Sequence, residues 1–269
     1  MNRRIALVLA VSILVASGVV GCGWTGFQPA NFKAVSKSSA PAQEGRTLEV
    51  QSENGAIEVQ TWDSNEIQVE ATIRATTSER LEATSVQTRE ENGRIIVNVL
   101  WPDGKRLSGE GASLSIRVPK CNGSELKTSN SAIKVAGQLG ASKIHTSNGS
   151  IDVTDCDGQV DASTSNGAIV VAGAHAPVRA KTSNGKIDIS LAADAKGPVD
   201  LSSSNGSIKL DVGAAFAGTV DASTSNAACT LKAGDGKSVK GKALTYSFGS
   251  GEASKIKTSN GSVTITAAK

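Results

Sequence analysis

One short signal, Thr-Ser-Asn-Gly and its near copies, returns along the second half of the chain at a spacing that constrains the fold more than any other feature. Aligned on the asparagine, the copies fall at Asn130, Asn148, Asn166, Asn184, Asn205, Asn226 and Asn260, with gaps of 18, 18, 18, 21, 21 and 34 residues. Looser copies at Asn54 and Asn92 keep the downstream pattern Asn-Gly-x-Ile-x-Val and stand 38 residues apart, close to two periods. A fixed period near twenty is the mark of a solenoid, in which each repeat is too small to bury its own apolar face and must stack on a neighbour.

The columns of the alignment specify the repeat. Three residues after each asparagine stand Ile133, Ile151, Ile169, Ile187, Ile208, Cys229 and Val263, and five after stand Val135, Val153, Val171, Ile189, Leu210, Leu231 and Ile265. Four before are Leu126, Ile144, Ala162, Ala180, Leu201, Ala222 and Ile256, and two before are Thr or Ser throughout. Period two on both sides of the asparagine predicts two short strands per coil with a bend at Asn-Gly. Coils stacked ~4.8 Å apart bring identical asparagines into register, where their amides can bond up and down the stack. The seven asparagines therefore read as a structural ladder rather than a binding row.

One outward column carries charge. Five before each asparagine stand Glu125, Lys143, Asp161, Arg179, Asp200, Asp221 and Lys255, alternating in sign through the first five. Facing opposite charges on neighbouring strands are favourable and like charges are not. Parallel stacking explains the alternation, whereas hairpins would scramble it.

Residues 46–120 are also strand-like, with Leu48-x-Val50, Ile57-x-Val59, Ile67-x-Val69-x-Ala71-x-Ile73 and Leu114-x-Ile116-x-Val118. Glu91-Asn92-Gly93 reads as a hairpin turn. A solenoid needs a cap over its first open edge, and residues 46–120 are placed to supply it. Residues 121–269 would form the repeat solenoid, with the segment around Tyr246 and Phe248 covering the last coil.

At the N-terminus, Asn2-Arg3-Arg4 precedes an apolar run from Ile5 to Val20 that reads as a secretory signal, too short for a comfortable membrane span. It ends in Val19-Val20-Gly21-Cys22, which resembles the bacterial lipobox, with residues 1–21 removed and Cys22 lipidated. An ordinary signal peptide with an incidental Cys22, or an uncleaved anchor, are the alternatives. Two or more acyl chains hold a protein on a bilayer where one does not, at ~0.8 kcal/mol per buried methylene. Gly23 in place of aspartate points to the outer membrane rather than the plasma membrane. Residues 22–45, rich in Gly, Ser, Ala, Pro and Lys, read as a flexible tether.

From about Arg46 onward the pattern resembles a bacterial envelope family named for adhesins and catalogued as a domain of unknown function. The resemblance is carried by the strand-rich start, the Ile116-Arg117-Val118-Pro119 step into the coils, the Asn-Gly-x-Ile-x-Val repeats, and Phe248-Gly249-Ser250-Gly251 before Thr258-Ser259-Asn260-Gly261. It implies an all-β fold, a right-handed parallel β-helix or β-solenoid with an N-terminal cap, in secreted or surface proteins. It brings no catalytic residues with it.

Chemical motifs are sparse. Gly236-Lys237-Ser238 imitates a phosphate loop but has Leu231 where that loop needs glycine. The Ser-x-x-Lys pairs Ser124/Lys127 and Ser183/Lys186 fall on strands, whereas catalysis by that pattern uses a helix turn. Asp155-Cys156-Asp157-Gly158 has calcium-like spacing without the later ligands and reads as a turn. His145 belongs to an outward column with Lys127, Ser163 and Lys181. Cys229 takes an inward position, Cys121 and Cys156 lie two coils apart, and no disulfide is expected among the three. No cofactor or metal is implied.

Aromatic residues make up 3% of the chain, too few for the girdles of an outer-membrane barrel. Loss of Arg3 and Arg4 with the leader brings the formal charge from +3 to +1, which is no nucleic-acid footprint. The leading reading is a lipid-anchored, non-enzymatic scaffold or adhesin-like module of the cell envelope, touching the membrane through its anchor and an envelope protein or glycan through its outward columns. A polysaccharide lyase or hydrolase on a β-helix is the rival, and an accessory role in envelope-stress signalling fits the same residues.

Overall fold

The computed structural model describes residues 12–16 and 32–268, apart from residues 138, 139, 235 and 237. Each repeat contributes one strand to each of two facing sheets, because alternation sends every second side chain inward on both sides of the Asn-Gly corner. In the Asn166 coil these strands are Val160–Ser163 and Ile169–Ala174. Equivalent residues pair in parallel: Ile133 faces Ile151, Ile151 faces Ile169, and Ile169 faces Ile187. The sheets hold 13 and 11 strands among the described residues, and the core is one layer of aliphatic side chains between them. Leu126, Ile144, Ile133, Ile151, Ile169 and Ile187 are all essentially solvent-free. The fold is the all-β parallel solenoid that the repeat predicts.

Stacking order departs from chain order at both ends. Thr47–Gln51 and Ile57–Thr61 form a coil around Asn54 that lies between the coil of Arg94–Leu100 with Gly111–Val118 and the Asn130 coil. At the other end, Ser254–Thr258 and Val263–Ala267 carry the Asn260 coil between the Asn205 and Asn226 coils. At the C-terminal end the chain passes over a rung position and returns to fill it; at the N-terminal end it builds the Asn54 rung first, adds the 94–118 coil outside it, and then crosses back over it to start the Asn130 coil.

Antiparallel strands close both ends. Ser85–Glu91 pairs with Arg94–Leu100, while Glu66–Ala75 covers Gly111–Val118 and Phe32–Pro41 covers Glu66–Ala75 in turn. Ser12–Ala16 adds one more antiparallel strand on Phe32–Pro41. At the far end Ala243–Ser247 and Ser238–Gly241 lie against the Asn226 coil, and Phe216, Tyr246 and Phe248 meet edge to face.

Two expectations need correction. The tether does not extend to residue 45, since Phe32–Pro41 is a strand whose alternate residues Ala34, Ser36 and Ala40 are buried. Residues 46–120 are not a separate cap: 47–61 form a true rung, because Asn54-Gly55-x-Ile57-x-Val59 matches the columns of the other coils. As the sequence predicts, Asn92 and Gly93, with φ of 51° and 76°, turn the hairpin between Glu91 and Arg94. Positive φ at both turn residues is the geometry that suits a two-residue hairpin. Cys22 and most of the leader lie outside the described residues.

Candidate functional site

The Asn-Gly corners form a continuous ridge along the rod. In spatial order the amides run Asn54, Asn130, Asn148, Asn166, Asn184, Asn205, Asn260 and Asn226, each Nδ2 donating to the Oδ1 before it at 2.5–2.8 Å. Seven steps of ~4.8 Å make a line about 34 Å long. All seven predicted asparagines lie on it, with Asn260 ahead of Asn226 and with Asn54 added. The bonds are on the solvent side, so each interior amide, which has two N–H groups and two lone pairs, keeps one of each for water or a partner.

Beneath the ridge runs a second ladder that the sequence shows only as a Thr/Ser column. Thr128, Thr146, Thr164, Thr182, Ser203, Thr258 and Thr224 are buried. Each hydroxyl donates to a corner carbonyl of the adjacent coil, as Thr164 does to Gly149 O at 3.0 Å and Thr146 to Ser131 O at 3.1 Å. Several also accept from the glycine N–H of their own corner, Gly149 N to Thr146 at 3.2 Å and Gly206 N to Ser203 at 2.9 Å. The glycines are needed for close approach: a Cβ on Gly167 would stand 1.7 Å from Gly149 O, while its φ is not in the left-handed region.

The ridge ends at the cap. Asn54 Nδ2 donates to Glu110 O at 3.0 Å, and the Glu110 carboxylate behind it is buried. Arg80, on the short helix Ser78–Ala83, grips both carboxylate oxygens at 2.7 and 2.9 Å. Leu107 N and the Thr76 hydroxyl also donate to Glu110, at 2.8 and 3.0 Å. The Arg80 contact, joined by these N–H and O–H donors against the opposing effect of burial, holds the Glu110 carboxyl down at about 2. Nothing periodic marks Arg80 and Glu110 in the sequence, so reading by columns misses them.

On the outward face of one sheet, Glu125, Lys143, Asp161, Arg179 and Asp200 are successive register neighbours, and Arg179 Nε lies 3.3 Å from Asp200. Insertion of the Asn260 coil places Lys255 between Asp200 and Asp221 and so extends the alternation to the last rung. Glu49 faces Glu125, and Arg94 lies across both at 2.9 and 3.6 Å. Two residues along, Lys127, His145, Ser163, Lys181, Ser202, Lys257 and Ser223 make a second line rich in cations. His145 Nδ1 meets Ser163 Oγ at 2.9 Å within it.

The remaining motifs resolve into structure. Asp155 has φ of 54° and turns the chain beside buried Cys156. Cys121, Cys156 and Cys229 are buried, and burial pushes Cys121 up to about 11. Among the described residues no three His, Cys, Asp or Glu side chains converge as metal ligands, and no helix is long and apolar enough to cross a membrane.

A two-sheet parallel stack with an asparagine ridge defines the class as a β-solenoid. The chain belongs to the Toastrack family DUF4097, whose model matches residues 39–266. Similar solved structures include a provisionally named adhesin from Bacteroides fragilis NCTC 9343 (13% identity, 90% of this chain and 100% of that chain, TM-score 0.46). A provisionally named lipid binding protein from Parabacteroides distasonis ATCC 8503 is similar at 13% identity, over 87% of this chain and 97% of that one (TM-score 0.42). No curated protein matches the chain.

Proposed function

We propose that this protein is a lipid-anchored, non-enzymatic rod of the bacterial cell envelope, held through Cys22 and acting as an adhesin-like binding module or scaffold. The observation that carries this reading is the outward surface. Amides with spare hydrogen-bonding capacity and lines of charged side chains run from end to end at one fixed spacing, on a frame that two internal ladders make stiff. A long, straight, polar surface suits an extended partner, such as a glycan chain or a strand-presenting envelope protein, better than a small molecule in a pocket. The anchor rests on Val19-Val20-Gly21-Cys22 after a basic start and an apolar run, and Gly23 favours the outer membrane.

Fractionation of cells making the wild type or Cys22→Ser, with intact-mass analysis of the purified protein, tests the anchor. The wild type should sediment with membranes and carry acyl mass, and the variant should be released; unchanged association of the variant would remove the anchor. Incubation of Cys22→Ser with peptidoglycan sacculi and with outer-membrane polysaccharide tests the rest. Retention without release of soluble fragments is expected, and fragment release would make the protein an enzyme.

A further inference from the structure

Three large apolar side chains are exposed among the described residues: Leu100 (44%), Leu107 (45%) and Val239 (41%). Two of them flank a single turn at the N-terminal end of the rod. Trp101 starts that turn with its ring partly packed on the core, and Gly104 N and Lys105 N close it on Trp101 O and Pro102 O. Gly104 has φ of 65° and open space around it, so the turn projects from the body. The buried Glu110 carboxylate pins its base through Leu107 N, and Arg80 Nη2 holds Lys105 O at 2.7 Å. An ion pair between a fully buried Glu110 carboxylate and a partly buried Arg80 thus fixes a protrusion whose flanks are leucine.

The location is informative. Phe32 faces Ala75, and Arg74 faces Gly111, so the chain enters the fold two strands, about 10 Å, from the end of this loop. If Cys22 is the acylated N-terminus, residues 22–31 are the whole connection, and ten residues span at most about 36 Å. The end of the rod that carries Leu100, Trp101 and Leu107 is therefore the end kept next to the bilayer. Lys33 and Lys105, both exposed here, add cations of the kind that favour phosphate headgroups.

We infer that residues 100–107 form a membrane-contacting tip: Leu100, Trp101 and Leu107 enter the headgroup boundary of the bilayer that holds the acylated Cys22, and so set the rod upright on its anchor. A tryptophan with an apolar body and a polar N–H suits that boundary, and two leucines beside it remove apolar surface from water. This inference rests on the lipid-anchor reading.

The test uses acylated full-length protein carrying Trp24→Phe and Trp62→Phe, which leaves Trp101 as the single tryptophan, reconstituted in phosphatidylethanolamine/phosphatidylglycerol vesicles with or without bromine on the upper acyl carbons. Insertion to the headgroup–acyl boundary, ~5–10 Å deep, should cut Trp101 fluorescence by about half in brominated vesicles. Adding Leu100→Glu and Leu107→Glu, both at exposed positions, should abolish the quenching while the protein still floats with the vesicles. Flotation without Trp101 quenching overturns the tip and leaves the anchor standing; protein without acyl mass that fails to float overturns the anchor. Should Trp62→Phe disturb folding, the same quenching is read as the difference between wild type and Leu100→Glu/Leu107→Glu.

Discussion

The insertion of the Asn260 coil between its neighbours can be tested by cross-linking. Ser202, Lys257 and Ser223 occupy one outward column in three successive rungs, in that order in space. Ser202 and Lys257 are register partners ~4.8 Å apart, whereas Ser202 and Ser223 lie two rungs, ~9.6 Å, apart. A disulfide needs Cα atoms within about 7 Å. Ser202→Cys/Lys257→Cys should therefore oxidise in the native state, and Ser202→Cys/Ser223→Cys should not. The first bridge closes a loop of about 55 residues, for which the chain-entropy relation gives about 4 kcal/mol, or an increase in Tm of roughly 10 °C before any strain is subtracted. The native thiols are buried and will not compete under mild oxidation. Intact mass before and after oxidation, peptide mapping and a melting curve complete the assay. A ready bridge in the 202/223 pair, with none in the 202/257 pair, would mean that the coils stack in chain order and that the intercalated architecture is wrong.

Lys143→Glu places three acids in succession at Glu125, 143 and Asp161, at roughly 0.2–1 kcal/mol per facing pair, so it should lower Tm more than Lys181→Glu, which faces Ser163 and Ser202. Equal losses, or a difference that persists in 1 M salt, would contradict this. Thr146→Val keeps the shape but strands Ser131 O and Gly149 N, at about 1–3 kcal/mol for each buried group, so its urea midpoint should fall by about 1 M while exposed Thr154→Val stays near wild type. Glu110 titrates at about 2 when folded against an ordinary 4.5; a depressed carboxyl stabilises fully above 4.5 and loses that contribution as pH falls toward 2. The difference amounts to about 3 kcal/mol, so denaturant curves between pH 5 and 2 should drop for wild type and flatten for Glu110→Gln, and parallel curves would refute the role of the pair. Reduction should leave the intact mass unchanged, and Cys121 and Cys229 should react with a thiol reagent only after denaturant is added.

The inward columns were legible because burial imposes period two on each strand and stacking imposes the twenty-residue period on the whole, so two independent constraints select the same residues. The Asn92-Gly93 hairpin was legible because few residues accept positive φ. The Arg80–Glu110 lock was not: its partners are 30 residues apart on a helix and a loop that occur once, and only a three-dimensional fold brings a lone acid to a lone base. The strand at Phe32–Pro41 was hidden by Ser, Lys and Pro, which suit a tether and an edge strand equally well.

Stacking order is the harder case, because any rung with Ile, Val and Asn in the right columns can pair with any other. The core therefore does not say which coils are neighbours; the outward charges do. In chain order the column reads Asp200, Asp221, Lys255, with two acids facing each other at a site where the rest of the line alternates. In spatial order it reads Asp200, Lys255, Asp221, and the repulsion is replaced by two favourable neighbours. The break in alternation coincides with the jump of the asparagine gap from 21 to 34, and both have one cause: the chain leaves an empty rung, builds the terminal coil with its covering strands, and returns to fill the gap. At the other end the order is different: the Asn54 rung is built first and bonds Asn130 across 76 residues of sequence, and there Glu49 faces Glu125 with Arg94 lying across both to supply the counter-charge. At the C-terminal end, therefore, the break in the exposed charge column marks a coil displaced in space, and the exposed column, rather than the buried one, records where the Asn260 rung belongs.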